Sequence, residues 1–170
     1  MAFGTWTDGN QLGATDVNTK IVQVSFVNKP SDESVTSSTT LQNDNHLRFT
    51  AAANTNYWIK SYIMVDGANT GGGIQLGWYG PSGATFDWCS DALGDDADGF
   101  GPVSRTRQTI GSVPDMQTNG AGTFLIVPAV GVLKVGATAG TFGFRWAQSS
   151  SNATATKVKA LSGLIVTKLV

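Results

Sequence analysis

Ten consecutive residues, Tyr57 to Asp66 (YWIKSYIMVD), alternate strictly. Successive side chains of an extended strand point to opposite faces. Tyr57, Ile59, Ser61, Ile63 and Val65 therefore share one face, and Trp58, Lys60, Tyr62, Met64 and Asp66 the other. A helical period would scatter both sets. The first set is mostly apolar and predicts a core face. The second set carries aromatic bodies with polar tips and two charges, which suits a wet surface or a subunit contact. The stretch before it, TTLQNDNHLRFT, reads as another strand, joined to the first by the small polar link AAANTN.

The same period recurs along the chain. Val22, Val24 and Phe26 alternate with Gln23, Ser25 and Val27; Ile74, Leu76 and Trp78 form a further strand, as do Phe142, Phe144 and Trp146. Shorter strands are expected at 85–89 and 106–113. Phe124-Leu125-Ile126-Val127 reads as a buried strand stopped or bulged at Pro128. Turn signals separate these runs: Asn28-Lys29-Pro30-Ser31, Gly80-Pro81-Ser82-Gly83, a turn over 114–120, and Gly136 to Gly140. Residues 31–40 read as a polar edge strand or loop, and 66–73 and 90–102 as loops. About eight to ten short strands with almost no helix predict an all-β chain, a single β-sandwich or jelly roll. At 170 residues one domain is expected. Residues 1–20, with Phe3 and Trp6 in a Gly/Thr/Asp setting and Leu12 and Val17 at helical spacing, read as a short N-terminal docking arm. Residues 21–170 then form the sandwich.

Charge supports assembly more than chemistry. Only 14% of residues are charged, low for a free monomer, so part of the surface is expected to be covered by a partner. Residues 1–100 carry 4 basic and 11 acidic side chains, and residues 101–170 carry 7 basic and 1 acidic. No Lys/Arg run or basic–aromatic stripe points to nucleic acid. No apolar run reaches the ~18 residues of a membrane helix. The opening residues lack the basic and apolar regions of a secretory signal, so synthesis in a cytoplasm is expected.

Candidate chemistry is sparse. Cys89 is the sole cysteine and His46 the sole histidine. His46 is expected to cap a turn or face solvent, and Cys89 to be a small core residue. No nucleophile elbow, zinc-helix, CxxC or phosphate-loop pattern occurs. Asp91, Asp95, Asp96 and Asp98 have part of the look of a calcium loop, but lack its spacing and distal Glu, and read as a solvated acidic loop. The five tryptophans fit core or interface packing better than a sugar platform. No enzyme and no cofactor are expected.

Longer stretches carry a resemblance. Residues 3–22, FGTWTDGNQLGATDVNTKIV, place Trp6, Gly9, Leu12, Ala14, Val17 and Asn18 in a pattern that resembles the N-terminal segment of structural proteins from tailed phages of actinobacteria. DESVTSSTTLQNDNHLRFTAAANTNYWIKSYIMVDG, GPSGATFDW and AGTFGFRWAQSSSNATATKVKALSGL are similar to later blocks of the same proteins, which occur at different places on the virion. The resemblance implies a virion structural protein. A small single domain with a short arm suits a capsid decoration protein, trimeric, on the outer surface of the head, with the major capsid protein as partner. The alternative it implies is a minor tail or tail-fibre protein that binds host-surface glycans. The residues expected to make capsid or subunit contacts are Phe3, Trp6, Leu12, Val17, Trp58, Tyr62 and Met64.

Overall fold

The computed structural model describes Gly13 and residues 22–68, 73–90 and 106–169. The expected arm residues Phe3, Trp6, Leu12 and Val17, and the acidic loop with Asp91, Asp95, Asp96 and Asp98, lie outside the described residues.

Eleven strands follow one another: β1 (Gln23–Asn28), β2 (Glu33–Val35), β3 (Gln42–Ala51), β4 (Asn56–Gly67), β5 (Ile74–Tyr79), β6 (Thr85–Ser90), β7 (Asp115–Met116), β8 (Gly120–Lys134), β9 (Gly140–Gln148), β10 (Thr156–Val158) and β11 (Gly163–Leu169). They form two antiparallel sheets, so the all-β sandwich expected from the alternation is what the chain adopts. In the larger sheet β4 is central. β8 pairs along one edge of β4, and β11 and then β10 along the other. β1 flanks β11, β2 flanks β10, and β6 flanks β8. The smaller sheet runs β3-β9-β5-β7.

From β3 to β9 every strand lies in the sheet opposite its predecessor. The stretch 39–66 is therefore not a hairpin. Residues 52–55 carry the chain across from β3 to β4, through Asn54 at φ 53, with the Tyr57 hydroxyl accepting the Ala52 N–H at 2.9 Å.

The core is the set of inner faces. Tyr57, Ile59, Ser61, Ile63 and Val65 are all buried, as their alternation requires. Ser61 is tolerated because its hydroxyl accepts the Ala129 N–H at 3.0 Å, which satisfies a polar group that burial would otherwise penalise. Aromatic rings fill the centre: Trp78 stacks on Phe142 with centroids 5.4 Å apart and 9° between planes, and meets Phe86 edge-on at 5.4 Å. Gly131 is required here. A Cβ on it would lie 2.6 Å from both the Asp87 carbonyl oxygen and the Phe86 ring, so the missing side chain is the space that ring occupies.

Three local expectations are corrected. Asp66 is buried rather than on the outer face of β4. The register slips between Val65 and Gly67, which turns its carboxylate inward to accept the Gly122 N–H at 2.8 Å. The strand expected at 106–113 is reduced to one bridge, Gln108 to Trp88, and a strand instead forms at Asp115–Met116, inside the expected turn. Phe124 and Ile126 are exposed, so the run 124–127 is buried on one face and open on the other.

Beneath β1 lies a polar knot. Lys29 is 0% exposed, and its ammonium donates to Asp44 Oδ2 at 2.7 Å and to Glu33 Oε2 at 2.8 Å. β3 slips register between Asn43 and Arg48, and this bulge turns Asp44 inward. The second oxygen of Asp44 accepts the N–H groups of His46 and Leu47, each at 2.9 Å. The Lys29 backbone exchanges hydrogen bonds with Ser162 and Leu161 at 2.9 Å. The knot thus joins the end of β1 to β2, β3 and the turn before β11.

Candidate subunit interface

The outer face of the larger sheet collects the second side of every alternating strand. In β4 these are Trp58, Lys60, Tyr62 and Met64; Trp58 is 41% and Tyr62 47% exposed, and Met64 is half-buried. Register places their neighbours. Lys60 lies opposite Ile165 of β11 and Val130 of β8, and Ile165 in turn lies opposite Phe26 of β1. Trp58 lies between Thr167 and Val132, with Val24 beyond Thr167. Met64 lies opposite Ile126. Tyr62 lies opposite Gly163, where a Cβ would meet the Phe26 ring at 2.9 Å. The Phe26 ring therefore leans over the glycine toward Tyr62 while remaining 67% exposed.

The face is apolar almost throughout. The described residues expose eleven large hydrophobic side chains. Ten of them share this face or its strand parity, and Leu161, in a turn, is the other. The outer side of the smaller sheet differs: it is polar, with Arg48 and Thr50 exposed and Gln75, Tyr79 and Arg145 half-buried. Burial of the Tyr79 ring raises its hydroxyl pKa above the usual 10.0.

Trp58, Tyr62 and Met64 are thus brought together as expected from their period. Sequence reasoning missed their companions Val24, Phe26, Ile126, Val130 and Ile165. The apolar–apolar run at 124–127 was a signal that both faces of β8 avoid water, but periodicity alone does not say what covers the second face. Cys89, expected in the core, is half-exposed on this outer face opposite Val130.

The remaining polar clusters offer little chemistry. His46 lies in the smaller sheet and Cys89 on the far side of the larger one, so a thiol–imidazole pair does not form. Glu33, Asp44 and His46 hold ligand atoms within 4.8 Å of one another. The Lys29 ammonium already supplies the positive charge between those two carboxylates. No helix among the described residues is long and apolar enough to cross a membrane.

No protein-family model matches the chain, and no curated protein does. Among solved structures, the chain is similar to the tripod from the baseplate of bacteriophage Tuc2009 at 13% identity and a TM-score of 0.40, covering 99% of this chain and 73% of that one. It is also similar to a structure of infectious bursal disease virus at 12% identity and a TM-score of 0.30, covering 86% of this chain and 40% of that one. The VP2 subviral particle of the same virus is similar at 12% identity and a TM-score of 0.27, covering 88% and 42%. At these values the likeness carries no argument about what this chain does.

Proposed function

We propose that this protein is a non-enzymatic structural subunit of a tailed-phage virion, a capsid decoration protein that binds the outer surface of the head as a trimer and stabilises the shell. The observation that carries the reading is the apolar outer face of the larger sheet. Monomers rarely expose apolar patches beyond about 300–600 Å², and this one spans β1, β11, β4 and β8. A chain of this kind is built to be covered by other protein. The residue patterns of 3–22, 32–67, 80–88 and 139–164, with their resemblance to actinobacterial phage structural proteins, say which kind of assembly. The pairings β1-β11-β4-β8 and β3-β9-β5-β7 fit two four-stranded sheets of a jelly roll, an architecture used by viral capsid domains, and this supports the reading by analogy.

In this proposal the major capsid protein is the partner, and residues 1–20 are the docking arm that reaches it through Phe3, Trp6, Leu12 and Val17. The domain works mechanically, and each apolar side chain buried on docking contributes about 1.5–3 kcal/mol, repeated over the shell.

A second reading, a minor tail or tail-fibre protein that binds host-surface glycans, is favoured by one feature. A cavity of about 310 Å³ opens at the end of the sandwich, with Phe49, Thr50, Tyr57 and Lys168 in its lining. Copy number per particle separates the two, measured by quantitative mass spectrometry of purified virions and by imaging of labelled particles. Hundreds of copies over the head are expected. A few copies at the tail tip would favour the second reading, and absence from the particle would overturn both.

A further inference from the structure

We infer that the outer face of the larger sheet is a homotypic contact, covered in solution by the same face of a second copy of this chain. The inference goes beyond the virion reading and does not rest on its trimer: a face packed on the same face of a second copy about a two-fold axis makes a dimer.

Area is the first argument. Ten exposed side chains at roughly 100 Å² each leave on the order of 1,000 Å² of apolar surface open. Stable interfaces need about 800 Å² from each partner, so this face, packed on its own copy, meets the requirement with a small margin. Composition is the second. Lys60 is the charged side chain in the middle of the face; toward its margins, among the described residues, lie Lys134 at the end of β8, Lys157 on β10, Lys159 over the Phe124 ring at 5.2 Å, and Asp87 on β6, paired with Arg107 at 2.6 Å. Interfaces between different, separately stable proteins are about as polar as ordinary surface, whereas homo-oligomer interfaces are more apolar and resemble a core cut in half. Timing is the third. A subunit added to a particle exists free beforehand, and a face this apolar must be covered during that interval. Copies of the same chain are the partner present from synthesis onward.

Shape agrees with this. Antiparallel sheets stack face to face about 10 Å apart with their strands nearly aligned, and a flat sheet face is complementary to itself about a symmetry axis. Lys60 is the weak point of such a contact, because two like charges approach. Its four-carbon stem is apolar, and its ammonium reaches out to the rim or onto a facing ring.

The test is sedimentation velocity on the full chain from 1 to 100 µM. The wild type is compared with the double variant Trp58→Glu/Ile126→Glu and with Arg48→Glu on the outer side of the smaller sheet. The expected result is an oligomeric wild type, an oligomeric Arg48→Glu, and a double variant weakened at least 100-fold to monomer with unchanged circular dichroism. If the double variant fails to fold, Tyr62→Ser replaces it, with weaker association expected. Lys60→Met is expected to tighten self-association; weakening by it would point to an acidic foreign partner and overturn the inference. A wild type monomeric at 100 µM, or folded face variants as oligomeric as the wild type, would also overturn it. A monomer found on phage heads would sink this inference and leave the virion reading standing, whereas an oligomer absent from particles would do the reverse.

Discussion

Replacing Asp44 with alanine is the sharpest probe of how this sandwich is held together. Lys29 and Asp44 are both fully buried, 2.7 Å apart. A buried ion pair is a poor stabiliser compared with a well-packed apolar pair, because both ions lose their water. Breaking one is a different matter. Asp44→Ala leaves the Lys29 ammonium with Glu33, whose side chain is 15% exposed, and strips the acceptor from the N–H groups of His46 and Leu47. Removing one partner of a buried pair costs about 3–5 kcal/mol, and an orphaned buried N–H about 1–3 kcal/mol. The losses share one site and do not simply add, so a net cost of about 4 kcal/mol is expected. At 2–4 °C per kcal/mol for a domain of this size, Tm falls by roughly 10 °C. Urea titration monitored by tryptophan fluorescence and near-ultraviolet circular dichroism measures it, with an unchanged slope showing that the same folded state is lost. The double variant Lys29→Met/Asp44→Leu is expected to recover part of the loss by removing both charges together. A cost below about 1 kcal/mol for Asp44→Ala, the range of a surface pair, would refute the knot as a structural element.

Other consequences are local. Gly131→Ala drives a Cβ into the Asp87 carbonyl and the Phe86 ring and is expected to cost about 1–3 kcal/mol by thermal unfolding. Leu161 holds φ 68 while exposed, so Leu161→Gly relieves left-handed strain and is expected to stabilise by about 1 kcal/mol, read as a higher urea midpoint. Asp32 accepts hydrogen bonds from the Lys159 ammonium and, at 2.8 Å, from the Ala160 N–H. The Lys159 bond first and the Ala160 bond second hold its pKa below 3.8. A lowered folded value means that its contribution is complete above pH 3.8 and is lost as pH falls through the folded value. The carboxylate is more than a third exposed, so the contribution stays below about 1 kcal/mol. Asp32→Asn should therefore lower Tm slightly at pH 7, with the difference from wild type shrinking as pH falls below 3.8.

The period-two alternation was enough to establish an all-β chain and the core face of its longest strand. Tyr57, Ile59, Ile63 and Val65 could be assigned inward because a one-residue error would turn all of them out together. The same alternation marked Trp58, Tyr62 and Met64 as a second face with aromatic character. The sequence carries no nucleophile-elbow, zinc-helix, CxxC or phosphate-loop pattern, but it gave no sign that Glu33, Asp44 and His46 come within 4.8 Å of one another. Pairing was not. A period says which residues of one strand share a face, but not which strand lies beside it, and here β3 and β4 are adjacent in sequence yet belong to opposite sheets. Only the tertiary structure set Phe26 and Ile165 beside Lys60, and Ile126 beside Met64, turning scattered apolar residues into one continuous face. Lys29 shows the same limit: in the turn Asn28-Lys29-Pro30-Ser31 it has the look of a solvated lysine. A bulge in β3, many residues away, brings Asp44 under it, and burial follows from a contact that no local pattern encodes.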